Sequence, residues 1–222
     1  METTELARKY LGKVAKNYEK RKASRPKWQA EHASVSTLLE CIARNDRLLD
    51  VPCGTGRFFE LYQTAGFKVS GIDISEDMLA IARDKADRLG LEADLQLGSI
   101  FNLPYQNGAF KCVVCIRILN WLGTEDMRRA LKEMSRVSRP YVIFAVRTRT
   151  EYQTAGKRAL ALIHGVVRKL RYNGRRDRTT VHTRKEVQSA LDEARLSAVK
   201  AIHVNFGTPH TMYEIILAEK ST

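Results

Sequence analysis

The sequence has no long apolar run and few cysteines. No window approaches the roughly 20 apolar residues that a membrane span needs, and the N-terminus lacks an apolar stretch of the signal-peptide type. The four cysteines lie in apolar surroundings rather than at the spacings of a disulfide framework. Cys112 and Cys115 form a C-x-x-C pair, but residues three apart on a strand point to opposite faces. We therefore expect a soluble, cytoplasmic protein with no metal site.

Acidic residues are also scarce, with 25 Asp and Glu against 38 Lys and Arg, a net charge of +13. Residues 1–30 hold nine basic and three acidic side chains, and residues 136–185 hold fourteen and two. Residues 31–135 are close to neutral, with twelve basic and fifteen acidic side chains. The positive excess thus belongs to two flanking segments. A length of 222 residues is enough for one domain with a full core.

A short glycine turn organises the chain. Residues 47–57 read RLLDVPCGTGR, an apolar strand that continues into a turn and then a helix. Gly54 and Gly56 have no Cβ, so the backbone can adopt positive φ and a ligand can lie against it. The third glycine of the dinucleotide fingerprint is absent. Asp50 would repel a phosphate but would pair with an ammonium group, which favours a zwitterionic nucleoside over a nucleotide.

A second acidic residue ends the next strand. Residues 67–75 read FKVSGIDIS, which places Asp73 seventeen positions after Gly56. A carboxylate at this point can accept hydrogen bonds from both ribose hydroxyls. The glycine turn alone is weak evidence, but the turn and Asp73 together predict a nucleoside site.

These segments resemble the motifs of class I S-adenosylmethionine-dependent methyltransferases. The resemblance is carried by LLDVPCGTGR and GIDISEDML and continues through residues 97–104 and 110–115, covering about residues 45–147. It is similar to the small-molecule enzymes of the ubiquinone and menaquinone biosynthesis group. It implies an α/β, Rossmann-like, doubly wound sheet of seven mostly parallel strands with an antiparallel last strand. It further implies S-adenosyl-L-methionine as methyl donor and S-adenosyl-L-homocysteine as product.

The resemblance also implies which residues bind the cofactor: Asp50, Pro52, Cys53, Gly54, Thr55, Gly56, Asp73, Ile74, Met78, Ser99, Ile100, Phe101, Cys115 and, from an N-terminal helix, Tyr18. Three of these positions have alternatives. Tyr18 also fits the apolar stripe of its helix. Met78 at helical spacing is also typical of core packing. Ser99 stands where most relatives have an Asp that accepts the adenine amino group, and a hydroxyl accepts this hydrogen bond more weakly.

Residues past the carboxyl end of the fourth strand are expected to face the acceptor, because open α/β sheets bind ligands at that edge. Arg117 would hold an acidic group bidentately, and Trp121 would either form a pocket wall or pack against the following helix. The predicted substrate residues are Arg117, Asn120, Trp121, Trp28, Arg147 and His182. His182 and His164 are interpreted as structural or surface residues rather than as a base, so we name no catalytic residue.

We expect a single domain over residues 1–222. Its predicted parts are an N-terminal lid helix over 1–30 that ends at Ser24-Arg25-Pro26, a cofactor-binding core over 45–147, a basic helical cap insertion over 149–182, and a C-terminal helix with edge strands over 183–222.

The predicted function is in-line methyl transfer to a small acidic or amphiphilic acceptor. Two alternatives stay open: an RNA-modifying methyltransferase that uses the basic cap, and a cofactor-binding scaffold without activity. The cap could also rest on anionic lipid or simply be a solvated face. We expect no extra recognition domain, and the segment has few aromatics among its arginines, which together favour the small acceptor. The acceptor atom and the oligomeric state are left open.

Overall fold

The computed structural model describes residues 24–42, 45–149, 179–204 and 211–221. Several sequence predictions lie outside these residues: Tyr18 and most of the lid helix, His164, and nearly all of the basic cap insertion. Helices in the described parts of the chain are all too short or too polar to cross a membrane.

The described residues form five α-helices and seven strands. In chain order these are α1 (Pro26–Leu39), β1 (Arg47–Asp50), α2 (Phe59–Thr64), β2 (Lys68–Asp73), α3 (Glu76–Leu89), β3 (Ala93–Leu97), β4 (Phe110–Cys115), α4 (Thr124–Val137), β5 (Ser138–Arg149), α5 (Arg184–Glu193), β6 (Leu196–His203) and β7 (Thr211–Lys220), with a 3-10 turn at Leu119–Trp121.

The strands make one sheet in the order β3-β2-β1-β4-β5-β7-β6. Strands β1 to β5 pair in parallel, and β7 runs antiparallel to both β5 and β6. The predicted seven-stranded, mostly parallel sheet is confirmed. Its strand order reverses between β1 and β4, the kind of point at which doubly wound sheets bind ligands. Along that edge the ends of β2, β1 and β4 place Asp73, Asp50 and the Arg117 turn side by side.

The core has one apolar cluster on each face of the sheet. Cys112 and Cys115 are both buried in β4, the first in the cluster under α1 and α2, the second in the cluster under α4 and α5. Their side chains therefore point to opposite faces, as the strand geometry predicts.

The helix boundaries near the N-terminus differ from the prediction. Pro26 is the first residue of α1, a position where its missing N–H costs nothing. The helix continues to Leu39, and Val35, Leu38 and Leu39 are buried on it. Trp28 is consequently on α1, which packs against β7.

Helix caps follow the sequence closely. Ser75 caps α3 by accepting a hydrogen bond from the N–H of Met78. Thr183 and Glu186 form a capping box for α5, in which each side chain bonds the other's backbone N–H. Strand β5 extends beyond the predicted apolar run, because Arg147, Thr148 and Arg149 continue the pairing with β7.

Candidate functional site

The turn after β1 needs glycine at two positions for different reasons. Gly54 has φ of +58° and Gly56 has φ of +71°, both in the left-handed region that side chains disfavour. A Cβ on Gly56 would lie 2.6 Å from the buried ring of Phe59, whereas a Cβ on Gly54 would meet no heavy atom within 4 Å. The backbone at Gly54 therefore faces open space in which a ligand can approach it.

Asp73 links this turn to the end of β2. Its Oδ2 accepts the N–H of Gly54 at 2.9 Å, and its Oδ1 accepts the N–H of Ser75 at 2.9 Å. A carboxylate has about four acceptor sites, so both oxygens retain capacity for further donors such as hydroxyl groups. Burial raises the pKa of Asp73, while the backbone N–H groups that bond its charged form oppose this shift.

Asp50 is a buried acid between these elements. The hydroxyl of the fully buried Tyr62 donates to its Oδ2 at 3.1 Å. Burial raises the pKa of Asp50 to about 8; the Tyr62 hydrogen bond opposes the shift and the neighbouring Asp73 adds to it. At neutral pH this carboxyl group therefore holds a proton until a cation approaches it.

A cavity opens at this edge of the sheet. Eight of the predicted cofactor residues line it: Asp50, Pro52, Cys53, Gly54, Thr55, Asp73, Ile74 and Met78. Two of the predicted substrate residues, Arg117 and Trp121, line it as well. The ends of β1, β2 and β4 thus bring the two predicted groups together in one place.

Other predicted cofactor residues lie outside the lining. Gly56 packs on Phe59, and the side chain of Cys115 is fully buried in the core. Ser99 uses its hydroxyl to accept the N–H of Phe101 at 3.3 Å, which shapes the turn after β3. Ile100 is buried and Phe101 is half-buried beside it. Their contacts with a cofactor stay predictions.

The remaining substrate candidates have structural contacts. Arg147 donates to the hydroxyl of Thr179 at 2.9 Å, and the carbonyl of Asn120 accepts the N–H of Thr180 at 2.7 Å. His182 is buried, with its Nε2 3.3 Å from the carbonyl oxygen of Leu119. These contacts hold the chain after residue 178 against the 3-10 turn beside the cavity.

Sequence reasoning missed a group that completes the cavity wall. Arg57, Phe58, Ile116 and Ile118 line the cavity, and the fully buried Glu31 lies behind two of its arginines. Arg57 directly follows the glycine turn, so its position was a usable signal. Glu31 carries no such signal in the sequence, because its two arginine partners are 26 and 86 residues away along the chain.

Glu31 binds both arginines. Its Oε2 accepts Nη1 of Arg57 at 2.7 Å, and its two oxygens accept Nε of Arg117 at 3.1 and 2.9 Å. Nη2 of Arg117 is 2.8 Å from Oε2. The ring of Trp28 lies against both guanidinium groups, 3.6 Å from Cζ of Arg57 and 5.1 Å from Cζ of Arg117. We call these four residues the Glu31 cluster.

The cluster changes the interpretation of Arg117. The Nε and Nη2 edge, which would grip an acidic group bidentately, already binds Glu31. Arg117 also has φ of +77°, an uncommon conformation for a residue with a side chain, and this turn directs it into the cavity.

Comparison with known proteins agrees with this geometry. Residues 48–141 match the family described as a methyltransferase domain. A malonyl-[acyl-carrier protein] O-methyltransferase from Pectobacterium atrosepticum is 38% identical over 105 residues, which are 46% of this chain and 38% of that protein. A demethylmenaquinone methyltransferase from Bacillus cytotoxicus is 37% identical over 98 residues, 42% of this chain and 40% of that protein. The matched region thus spans less than half of these relatives.

The fold itself matches that of a solved methyltransferase. Magnesium protoporphyrin IX methyltransferase from Synechocystis, solved with bound S-adenosylhomocysteine, superposes with a TM-score of 0.77 at 17% identity, covering 99% of this chain and all of that one. The sequence match and the sheet order confirm the resemblance: residues 48–141 match the methyltransferase domain family, and the sheet has the fold of solved class I S-adenosylmethionine-dependent methyltransferases.

Proposed function

We propose that this protein transfers a methyl group from S-adenosyl-L-methionine to a small, acidic or amphiphilic acceptor and releases S-adenosyl-L-homocysteine. The observation that carries the proposal is the cavity at the ends of β1, β2 and β4, where two buried acids face open space beside a glycine turn. The family match of residues 48–141 supports the same reaction.

The residues present fit this cofactor. Asp50 suits the ammonium group of the methionine moiety, because a cation beside a buried carboxyl group favours its ionised form. Asp73 suits the ribose hydroxyls through its remaining acceptor capacity. Ile74 and Met78 supply apolar surface for adenine at the same edge, with Ser99, Ile100 and Phe101 proposed beyond them.

The chain's own residues mainly orient the reactants. Bound S-adenosylmethionine would supply a methyl group on a sulfonium with a neutral leaving group, so alignment of the acceptor accounts for much of the catalysis. Arg117, Trp121 and Ile118 line the part of the cavity nearest β4 and are the proposed acceptor surface. Arg117 and Arg57, which both line the cavity, are the support for an acidic acceptor.

The alternatives have gained no support from the described residues. The RNA-modifying alternative depended on the basic cap, which lies almost entirely outside them. A scaffold without activity would have no need for an open cavity that joins the two acids to Arg117 and Trp121.

Isothermal titration calorimetry with S-adenosylhomocysteine tests the proposal directly. We expect one site per chain in the wild-type protein and at least tenfold weaker binding in Asp73→Ala. Transfer of labelled methyl groups to a panel of small carboxylic acids, with neutral analogues as controls, tests the acceptor class. Absence of binding by the wild-type protein would refute the proposal as a whole.

A further inference from the structure

The Glu31 cluster contains one carboxylate that binds two arginines. Oε2 of Glu31 contacts Arg57, and both of its oxygens contact Arg117. A carboxylate has enough acceptor sites to hold both arginines at once. With two arginines bound to it, the charge of Glu31 would still be compensated by one of them if the other turned to a ligand.

The two arginines differ in exposure. The Arg57 side chain is 8% exposed and also donates to the carbonyl oxygen of Trp28 at 2.6 Å, which ties it to the backbone of α1. The Arg117 side chain is 26% exposed and lines the cavity. Because Glu31 is fully buried and its bond with Arg57 is the more enclosed of the two, Arg117 is the partner that a ligand can reach.

The position along the sheet edge fits an anion. Asp73 and Asp50 lie at the ends of β2 and β1, and Arg117 lies just past β4 on the other side of Asp50. The cavity therefore has its acids at the proposed cofactor end and an arginine at the proposed acceptor end. A carboxylate or phosphate group pairs bidentately with one edge of a guanidinium group, and Glu31 contacts the Nε and Nη2 edge of Arg117.

We propose that Glu31 is a specificity-determining residue that competes with the anionic group of the acceptor for the Nε and Nη2 edge of Arg117. The proposal deepens the proposed function, on which its meaning for methyl transfer rests. When an acceptor anion takes this edge, Glu31 keeps Arg57 and continues to hold α1 against the cavity. Only acceptors whose charge and geometry outcompete the internal carboxylate bind well.

The test measures inorganic phosphate binding to the full chain saturated with S-adenosylhomocysteine, at one pH and one ionic strength. The chain has two tryptophans, Trp28 in the Glu31 cluster and Trp121 in the cavity lining, so intrinsic fluorescence reports on this site. Glu31→Gln removes the competing charge and is expected to tighten phosphate binding by about tenfold, the effect of one charge-assisted hydrogen bond. Arg117→Gln is expected to abolish the fluorescence response.

Glu193→Gln is the matched control. Glu193 is likewise shared between two cations, Arg128 and Lys132, at 3.1 Å each, but it lies at the end of α5 rather than in the cavity lining. We expect phosphate affinity unchanged in this variant. If Glu31→Gln fails to fold, Glu31→Asp keeps the charge on a shorter side chain and should give a smaller gain.

The outcomes separate the two proposals. Failure of the wild-type protein to bind S-adenosylhomocysteine would refute the proposed function. Normal binding of that ligand, with phosphate affinity unchanged or weakened in both Glu31 variants, would overturn the role of Glu31 alone. A purely structural Glu31 would lower the thermal midpoint without tightening phosphate binding.

Discussion

Replacing Asp50 by Asn is the most informative perturbation of the site. The amide has the same shape and its oxygen can still accept the hydrogen bond from Tyr62, but it cannot titrate. Asp50 in the folded protein has a pKa of about 8 instead of its ordinary 3.8, chiefly because it is buried. Between these values the folded protein binds a proton that the unfolded chain has released, so the stability of the fold falls as pH rises.

The magnitude follows from linkage. Each pH unit in that interval lowers the free energy of unfolding by about 1.4 kcal/mol, which accumulates to about 4 kcal/mol between about pH 5 and pH 8 and then levels off. The free energy of unfolding of a folded protein is typically only about 5–15 kcal/mol, so a change of this size is large. Denaturant unfolding of the wild type and Asp50→Asn at several pH values measures it. The difference between the two proteins isolates Asp50 from Asp73 and His32, whose pKa values are also shifted.

Ligand binding should show the opposite trend. If Asp50 pairs with the ammonium group of S-adenosylhomocysteine, wild-type affinity should rise up to about tenfold per pH unit towards pH 8 and fall above it, as the ligand amine loses its proton. Asp50→Asn should bind weakly without this rise. Tyr62→Phe should move the rise to higher pH, because the lost hydrogen bond favours the ionised carboxylate. A stability difference between wild type and Asp50→Asn that does not vary with pH would refute this reasoning.

Three further predictions concern the turn and a cap. Gly56→Ala should destabilise the fold by about 1–3 kcal/mol in denaturant unfolding, since its Cβ meets Phe59 and its φ is positive; Gly54→Ala, which meets no neighbour, should lose less stability. Asp73→Ala should weaken S-adenosylhomocysteine binding by calorimetry at least tenfold, and unaltered affinity would contradict the ribose assignment. Thr183→Ala should cost about 1 kcal/mol of stability without changing ligand affinity, because it removes only the cap of α5.

The parts of the fold that the sequence predicts well are those defined by neighbouring residues. The apolar run before the glycine turn marks β1, and Asp73 marks the end of β2, because strand, turn and acid all follow within a few residues. The same is true of the capping box of α5. Eight cofactor candidates consequently line one cavity.

Local patterns are less informative where a residue suits two roles. Pro26 can follow the end of one helix and begin the next, and its place as the first residue of α1 depends on the packing of that helix on the sheet. Arg149 falls at the start of the predicted cap insertion, yet β5 includes it because β7 supplies an antiparallel partner. Pairing of that kind depends on a strand more than sixty residues away.

The acceptor end of the cavity depends on contacts of the same long range. From the sequence, Arg117 is expected to bind an anion through its guanidinium group. Nothing in the sequence indicates that Glu31 already binds this group. On this proposal, the anionic group of the acceptor competes with Glu31 for Arg117. The affinity for the acceptor therefore depends on how much better its anionic group binds Arg117 than Glu31 does. Substitutions that weaken Glu31 should accordingly broaden acceptor binding, whereas substitutions of Arg117 should remove it. This asymmetry distinguishes competition from a simple salt bridge, in which both changes would act in the same direction.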